Sequence, residues 1–183
     1  ETGTVSAHIY TEEIQLASYD TLNFFMYMPE SDPATAEMPD FSLTLQSETN
    51  RGLETALHLV IKKEAFEKIK SERPPQGAWK KVQFDLRRHS LSVDGTELTA
   101  DTDFSVVRFD INTAANRIEF AFAPRNTQTP PPPGTKDTAG ELYIDELYLE
   151  GRDYRLNFEN IFSFDWGKKN TLWEIKGFPL AAN

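Results

Sequence analysis

Apolar and polar residues alternate over much of the chain, and this period of two predicts β-strands. In Thr21–Met28 every second residue from Leu22 is apolar, so Asn23, Phe25 and Tyr27 share the opposite face. Turn-forming residues separate such runs at short intervals, the pattern of an all-β sandwich. The other predicted strands are the Val5–Tyr10 run and those with inward stripes at Phe41, Leu43 and Leu45; Leu57, Leu59 and Ile61; Val82, Phe84 and Leu86; Leu91 and Val93; Val107, Phe109 and Ile111; and Ile118, Phe120 and Phe122.

Two segments interrupt this pattern. Lys63–Ser71 places Phe66 and Ile69 at helical spacing among good helix formers, so it predicts one short helix, which a following Pro-Pro pair stops. Pro130–Pro133 favours polyproline II and predicts a stiff exposed loop, with an SH3-type ligand as the alternative.

The last strong strand signal is Gly140–Gly151, an apolar and aromatic run with Asp145 in its middle. A charged side chain is seldom buried without a partner, so Asp145 marks a position with a special role. The predicted organisation is an expression-vector scar at residues 1–3, a sandwich at residues 4–151 and a Trp-rich C-terminal extension at residues 152–183. That extension holds Trp166 and Trp173, and it either supplies a closing strand or begins a further segment.

Charge narrows the classes of partner. The formal net charge is −10, from 29 Asp and Glu against 19 Lys and Arg. This balance argues against nucleic acid and against anionic membrane surfaces. No apolar run approaches the roughly 20 residues of a membrane helix, so no transmembrane segment is predicted. We expect a monomer with a carbohydrate or protein partner.

The chain contains no cysteine. Disulfides, thiolate metal sites and cysteine nucleophiles are therefore excluded together. Small secreted eukaryotic domains usually carry disulfides, so their absence favours a bacterial protein. We expect an extracellular, cell-surface or periplasmic location.

Three segments in order resemble carbohydrate-binding modules with a galactose-binding-like jelly roll. They are Tyr19–Tyr27, which contains Leu22-Asn23-Phe24; Trp79–Leu86, in which alternating hydrophobic residues follow a Trp; and Leu142–Leu147, with its Tyr-Ile-Asp-Glu core. The resemblance covers about residues 4–151. It implies a fold that is all-β, a jelly-roll β-sandwich with one short helix.

The resemblance also implies a structural calcium. In such modules the aspartate of the last strand helps to hold the ion together with an acidic side chain near the first strand. By resemblance Asp145 is that ligand, with Glu12 or Glu13 as its partner. Calcium prefers six to eight hard oxygen ligands, which suits carboxylates and carbonyls. The alternative is that Asp145 caps a turn or pairs with a basic residue.

The candidate ligand-binding residues are outward-facing aromatic and polar side chains. Sugar faces stack on aromatic rings, and neighbouring polar groups bond the hydroxyls. If their strands adjoin, these side chains form a shallow platform; otherwise the aromatic residues pack under the short helix or close the end of the core. The candidates are Phe25, Tyr27, Trp79, Gln83, Asp85, Arg117 and Glu119.

No catalytic signature is present. His8, His58 and His89 are far apart and lack metal-type spacing. No Gly-x-Ser-x-Gly, phosphate-binding glycine loop or His-Glu-x-x-His occurs. The carboxylate pairs Asp101 with Asp103 and Glu119 with Asp145 could serve glycoside hydrolysis, but Asp in a Thr/Asp-rich turn is favoured for local hydrogen bonding.

Together these features predict a non-catalytic binding module of a bacterial exported or cell-surface protein, directed at carbohydrate. The second hypothesis is a structural or protein-interaction accessory domain of a large bacterial outer-membrane or secretion protein. The alternating run Phe158–Trp166 favours that second hypothesis. A third is a truncated or degenerate glycosidase-like sandwich.

Overall fold

The computed structural model describes residues 5–27, 40–65, 79–123, 140–151, 155–158, 161–166 and 174–178. Within these ranges the chain is almost entirely β-strand, with a 3-10 turn at Leu16–Ser18. The strands are β1 Val5–Gln15, β2 Thr21–Tyr27, β3 Asp40–Thr49, β4 Gly52–Ile61, β5 Lys80–Asp85, β6 Ser90–Val93, β7 Thr96–Glu97, β8 Phe104–Phe109, β9 Ala114–Ala123, β10 Gly140–Glu150, β11 Arg155–Phe158, β12 Ile161–Trp166 and β13 Glu174–Phe178.

The strands form two antiparallel sheets. Sheet A has the order β1-β9-β3-β4-β8, and sheet B has the order β13-β12-β10-β2-β5-β6-β7, with β11 also paired to β10. The pairs β2–β10, β3–β9, β4–β8 and β5–β6 are nested along the chain. Nested pairing makes a long antiparallel hairpin that rolls over on itself, which is how a jelly roll is wound. The predicted all-β sandwich is confirmed.

The inner faces of the two sheets enclose one apolar core. The stripes predicted on β2, β3 and β5 are all buried, and the rings of Phe24 in sheet B and Phe41 in sheet A lie 6.3 Å apart. Phe41 in turn stacks on Phe120 at 6.0 Å. Contacts of this kind bury the inner faces of both sheets. Burial of each large side chain contributes about 1.5–3 kcal/mol to the stability of the fold.

The prediction that Val107 points inward is wrong. Val107 is 61% exposed. The pairing of β4 with β8 shifts by one residue between His58 and Leu59, because Val106 pairs with Leu59 and Arg108 with His58. Val107 is the extra residue of this bulge and turns outward, while Val106 packs against the core.

The short predicted helix is seen only at its start. Residues 63–65 are helical, and Ala65 is buried against the core. The rest of Lys63–Ser71 and the proline run Pro130–Pro133 lie outside the described residues.

The C-terminal extension contributes strands to sheet B. β11 pairs with the second half of β10, from Leu147 to Glu150, and β12 pairs with the first half, from Gly140 to Ile144. β13 then adds to β12. The described strands of the extension thus continue sheet B beyond β10, whereas β1 lies against β9 in sheet A. Trp173 is outside the described residues.

Gly151, directly after β10, lies against the turn that precedes β2. A Cβ atom at this position would stand 2.5 Å from the Ser18 carbonyl oxygen and 3.3 Å from the Tyr19 Cα. The backbone of Asp20 also donates to the Glu150 carbonyl at 2.8 Å. The glycine therefore permits the close approach that aligns the ends of β2 and β10.

Candidate functional site

Three aromatic side chains form a row across the outer face of sheet B. Tyr143 on β10 pairs directly with Tyr27 on β2. Trp79 immediately precedes β5, where Lys80 pairs with Met26, so it stands beside Tyr27. The ring centroids of Tyr27 lie 5.5 Å from Trp79 and 5.9 Å from Tyr143. Trp79 is 40% exposed, and we call Tyr143, Tyr27 and Trp79 the aromatic row.

The sheet explains why these residues meet. Side chains of directly opposed residues share a face, and their Cβ atoms are about 4.5–5.5 Å apart. Leu22, Phe24 and Met26 fill the core from β2, so Phe25 and Tyr27 must face outward. The predicted adjacency of Phe25, Tyr27, Trp79 and Gln83 therefore follows from the β2–β5 pairing.

Below the aromatic row the same face becomes polar. Phe25 lies between Asp145 on β10 and Lys81 on β5, and Asn23 lies between Tyr148 and Gln83. The Lys81 ammonium stands 5.8 Å from the centroid of the Tyr148 ring. Cation–π contacts contribute about 0.5–1 kcal/mol at exposed sites and more where the groups are desolvated, and here the Tyr148 ring is buried.

Asp85 lies on this face at the end remote from the aromatic row, opposite Thr21. One of its carboxylate oxygens accepts hydrogen bonds from the backbone N–H groups of Arg87 and Arg88, each at 2.8 Å. Asp85 therefore holds the turn between β5 and β6, as Asp commonly does in tight turns.

Asp145 lies at a β-bulge in β10. The pairing with β2 shifts by one residue between Asp145 and Tyr148. Glu146 has φ of 49°, a left-handed conformation, and its backbone N–H donates to the Asp145 carboxylate at 2.8 Å. Asp145 thus caps its own bulge, which is the local role that the sequence left open as an alternative.

The bulge also keeps the core intact. Ile144 and Leu147 are both buried although three positions separate them, whereas a regular strand would place them on opposite faces. The extra residue restores the alternation, so Leu147 and Leu149 point inward while Tyr148 faces the outer side. A spacing of three between apolar positions in a strand is the sequence signal for such a bulge.

The predicted calcium ligands lie in different sheets. Asp145 belongs to sheet B, whereas Glu12 and Glu13 belong to β1 of sheet A and are exposed. Glu13 accepts a hydrogen bond from the Gln15 amide at 2.5 Å. Among the described residues no group of three or more His, Cys, Asp and Glu side chains is placed to hold a metal ion. Calcium stays a prediction from the resemblance.

Arg117 and Glu119 do not join the aromatic row, because β9 lies in sheet A. Their side chains pair at 3.0 Å on its outer face, where the Arg117 guanidinium also donates to Gln46 at 2.6 Å. Glu48 approaches the same guanidinium at 4.0 Å. A hydrogen bond with Glu48 raises the pKa of the Tyr10 hydroxyl. The predicted platform thus divides into an aromatic part on sheet B and a polar network on sheet A.

The histidines occupy separate positions. His8 on β1 pairs with Glu119 on β9. Glu119 pairs on its other side with Thr44 on β3, and Thr44 pairs in turn with His58 on β4. Burial lowers the pKa of His58, while the Glu119 carboxylate opposes that shift. His89, in the turn after β5, packs its ring 4.4 Å from Phe109.

Of the two carboxylate pairs considered for hydrolysis, one is divided between the two sheets and the other forms part of a turn. Glu119 lies in sheet A and Asp145 in sheet B. Asp103 is buried and accepts a hydrogen bond from the Thr99 backbone at 2.8 Å, while Asp101 takes a left-handed φ of 64° in the same turn. Both residues of that pair shape the turn before β8.

Sequence reasoning did not name Tyr143, Lys81 or Asn23 as candidate site residues. The alternation places Lys81 and Asn23 on outward faces but does not mark them as candidates. Tyr143 alternates with Ile144, so its outward direction is legible from the sequence. Its position beside Tyr27 is not, because the pairing of β10 with β2 joins distant segments.

A scan of protein-family models, a search of curated proteins and a search of solved structures each find no match to this chain. In the part of the chain that the structure describes, no helix has the length and apolar character to cross a membrane.

Proposed function

We propose that this chain is a non-catalytic carbohydrate-binding module of a bacterial exported or cell-surface protein. The observation that carries the proposal is the aromatic row, with Tyr143 on β10, Tyr27 on β2 and Trp79 directly before β5. Aromatic rings offer apolar faces on which the C–H faces of sugars pack, and tyrosine hydroxyls add hydrogen bonding at the rim.

The ring geometry favours one glycan chain over a flat crystalline surface. Tyr27 is tilted by 41° to Trp79 and by 37° to Tyr143. Rings tilted against one another do not lie in one plane, so they offer no flat platform for a crystalline surface. A single oligosaccharide chain, whose successive rings can each adopt their own tilt, suits such a row better.

The charges near the row favour a neutral glycan. Asp145 and Lys81 flank Phe25 from opposite strands, so both signs of charge are present. The chain as a whole carries a formal charge of −10. A polyanionic glycan would be repelled by that net charge, whereas neutral hydroxyls can bond to either side chain.

Glycan arrays and affinity electrophoresis in neutral polysaccharides test the proposal. We expect retention of the wild type and a loss of about tenfold or more in affinity for Trp79→Ala, as is usual for an aromatic residue that anchors an interface. The matched control is Tyr10→Ala, because Tyr10 is also an exposed aromatic residue, 61% exposed, but lies on sheet A. Equal loss in both variants, or no loss in Trp79→Ala, overturns the proposed site.

A second function is favoured by one feature of sheet B. Among the described strands, β12 and β13 extend this sheet past β10, so sheet B spans more strand positions than sheet A. Extra strands on one sheet offer a face and an edge to another part of a larger protein. This is the structural or protein-interaction accessory domain, and silence across broad glycan arrays would favour it.

A further inference from the structure

Asn23 is a polar side chain buried on the outer face of sheet B. It is 0% exposed and lies between Tyr148 on β10 and Gln83 on β5. Its amide nitrogen donates to the Thr21 hydroxyl at 2.9 Å. Its Oδ1 atom has no hydrogen-bond donor among the described residues. An unpaired buried acceptor destabilises the fold, so its retention calls for a reason.

Lys81 covers this part of the face. Lys81 is on β5 opposite Phe25, while Tyr148 is on β10 opposite Asn23, and β2 lies between the two strands. Because the Lys81 ammonium stands 5.8 Å from the centroid of the Tyr148 ring, the side chains of Lys81 and Tyr148 together bridge β2 on this face. Lysine stems commonly lie along a protein surface in this way.

The cover is weakly held. Lys81 forms no ion pair with any described residue, whereas its neighbour Lys80 pairs with Asp94 at 2.8 Å. Lys81 is half-buried, and its ammonium is held here by a cation–π contact with the Tyr148 ring. A ligand that occupies this face can therefore displace the Lys81 side chain by a change of rotamer.

We propose that Asn23 Oδ1 is a recessed acceptor subsite for a hydroxyl of a neutral oligosaccharide, with Lys81 as its displaceable cover. This inference rests on the carbohydrate-binding function proposed above and specifies the ligand further. An acceptor needs a donor, and a sugar hydroxyl supplies one without adding a charge beside the Lys81 ammonium. A cationic ligand is disfavoured by that ammonium.

The position of Asn23 sets the minimum length of the ligand. At about 3.3 Å per residue, Asn23 and Tyr27 are about 13 Å apart along β2. One sugar ring cannot reach from the aromatic row to Asn23, so the ligand is an oligosaccharide that runs along β2. Its path passes Phe25 and the outward carboxylate of Asp145.

The experiment measures affinities by calorimetry for neutral β-linked gluco-, xylo- and manno-oligosaccharides, from the monosaccharide to the hexasaccharide. Asn23→Leu removes the acceptor while nearly preserving the side-chain volume. We expect it to fold with an unchanged or higher melting temperature, because an unpaired buried oxygen is gone. Its affinity for the hexasaccharide should fall about tenfold, which corresponds to the loss of one hydrogen bond. Its affinity for short oligosaccharides should not change.

Lys81→Ala is the second variant and keeps the proposal falsifiable if Asn23→Leu does not fold. Removing the cover should raise the affinity for the hexasaccharide or its association rate, and an unchanged value overturns the subsite. If Trp79→Ala abolishes binding but Asn23→Leu binds every length like the wild type, the subsite is wrong and the carbohydrate-binding function stands. The subsite is equally wrong if Asn23→Leu loses stability without any change in length dependence, since Asn23 then serves the fold alone. If the wild type binds none of these glycans, both proposals fail.

Discussion

The carboxylate of Asp145 accepts a hydrogen bond from the backbone N–H of its own neighbour, Glu146, at 2.8 Å. The bond closes a bulge in which Glu146 adopts φ of 49°, a conformation that costs a non-glycine residue roughly 1–2 kcal/mol. The strained residue lies in a central strand, close to the aromatic row. Bulges often occur where a strand must re-aim side chains beside a functional site.

Substitutions at Glu146 should rank in the order that the bulge requires. Glu146→Gly should leave the free energy of unfolding unchanged or raise it by up to about 1 kcal/mol, because glycine accepts positive φ. Glu146→Val should lower it by about 1–3 kcal/mol, since a β-branched residue is strained there. Urea denaturation measures both. A regular strand would reverse the ranking, because there valine is favoured and glycine is not.

Asp145 can be tested for capping and for calcium in one set of melts. Asp145→Ala should lower the free energy of unfolding by about 1 kcal/mol through loss of the cap, and Asp145→Asn by much less, because its amide oxygen still accepts. EDTA should leave that difference unchanged. A wild-type melting temperature that falls in EDTA, together with an Asp145→Asn variant that ignores EDTA, would assign the carboxylate to the calcium site instead.

His58 should make the stability depend on pH. Burial lowers its pKa below the ordinary value of 6.5, so the unfolded chain binds a proton more readily than the folded chain. The contribution of His58 to the free energy of unfolding is then fully present above about pH 6.5. It declines as the pH falls from there towards the pKa of His58 in the folded chain, and below that pKa the decline stops. We expect the difference in denaturation midpoint between the wild type and His58→Gln to be smaller in the acidic range than at neutral pH.

Glu119→Gln is the control for this effect. The Glu119 carboxylate raises the pKa of His58 and so opposes burial. Without it the pKa of His58 should fall further, and the loss of stability on acidification should deepen. A smaller pH dependence in Glu119→Gln than in the wild type would contradict the assignment.

Gly151→Ala should destabilise the fold at the junction of β10 with the turn before β2. The added methyl would stand 2.5 Å from the Ser18 carbonyl oxygen, a backbone atom that cannot move aside alone. A cost of about 1–3 kcal/mol is typical of such overpacking. Thermal melts beside Glu150→Ala, an exposed neighbour, provide the comparison. Equal melting temperatures in the two variants would contradict the close approach of the Ser18 carbonyl to Gly151.

Val107→Lys should be nearly neutral, within about 0.5 kcal/mol, because the bulge turns this side chain to solvent. Leu59→Ala, on the facing strand but buried, should cost about 2–5 kcal/mol. Chemical denaturation distinguishes them. A large loss of stability in Val107→Lys would contradict the bulge. It would favour the inward position of Val107 that simple alternation along β8 predicts.

Periodicity predicts most of the sandwich because burial on one face of a strand imposes its own pattern. It locates Phe24 and Phe84 in the core and Tyr27 and Trp79 outside it. It fails at Val107, because a single inserted residue changes the face without changing the composition of the strand.

The candidate site is predictable only in part. The sequence assigns a face to each of Tyr27, Trp79 and Arg117, but the strand order decides which faces meet. That order depends on long-range pairings that local pattern does not encode, so the sequence alone groups Arg117 with residues of the opposite sheet. The orphaned oxygen of Asn23 depends on side-chain positions and has no signature in the sequence.

The nested pairing has a kinetic meaning. Tyr27 and Trp79 come together when β2 meets β5, but Tyr143 and Tyr148 arrive only when β10 docks on the other side of β2. Pairings between such distant segments close late, because the chain must first lose the entropy of a long loop. The outer face of sheet B is therefore complete only in the finished fold, and a chain interrupted before its last strands would display tryptophan and tyrosine without the surface that they help to form.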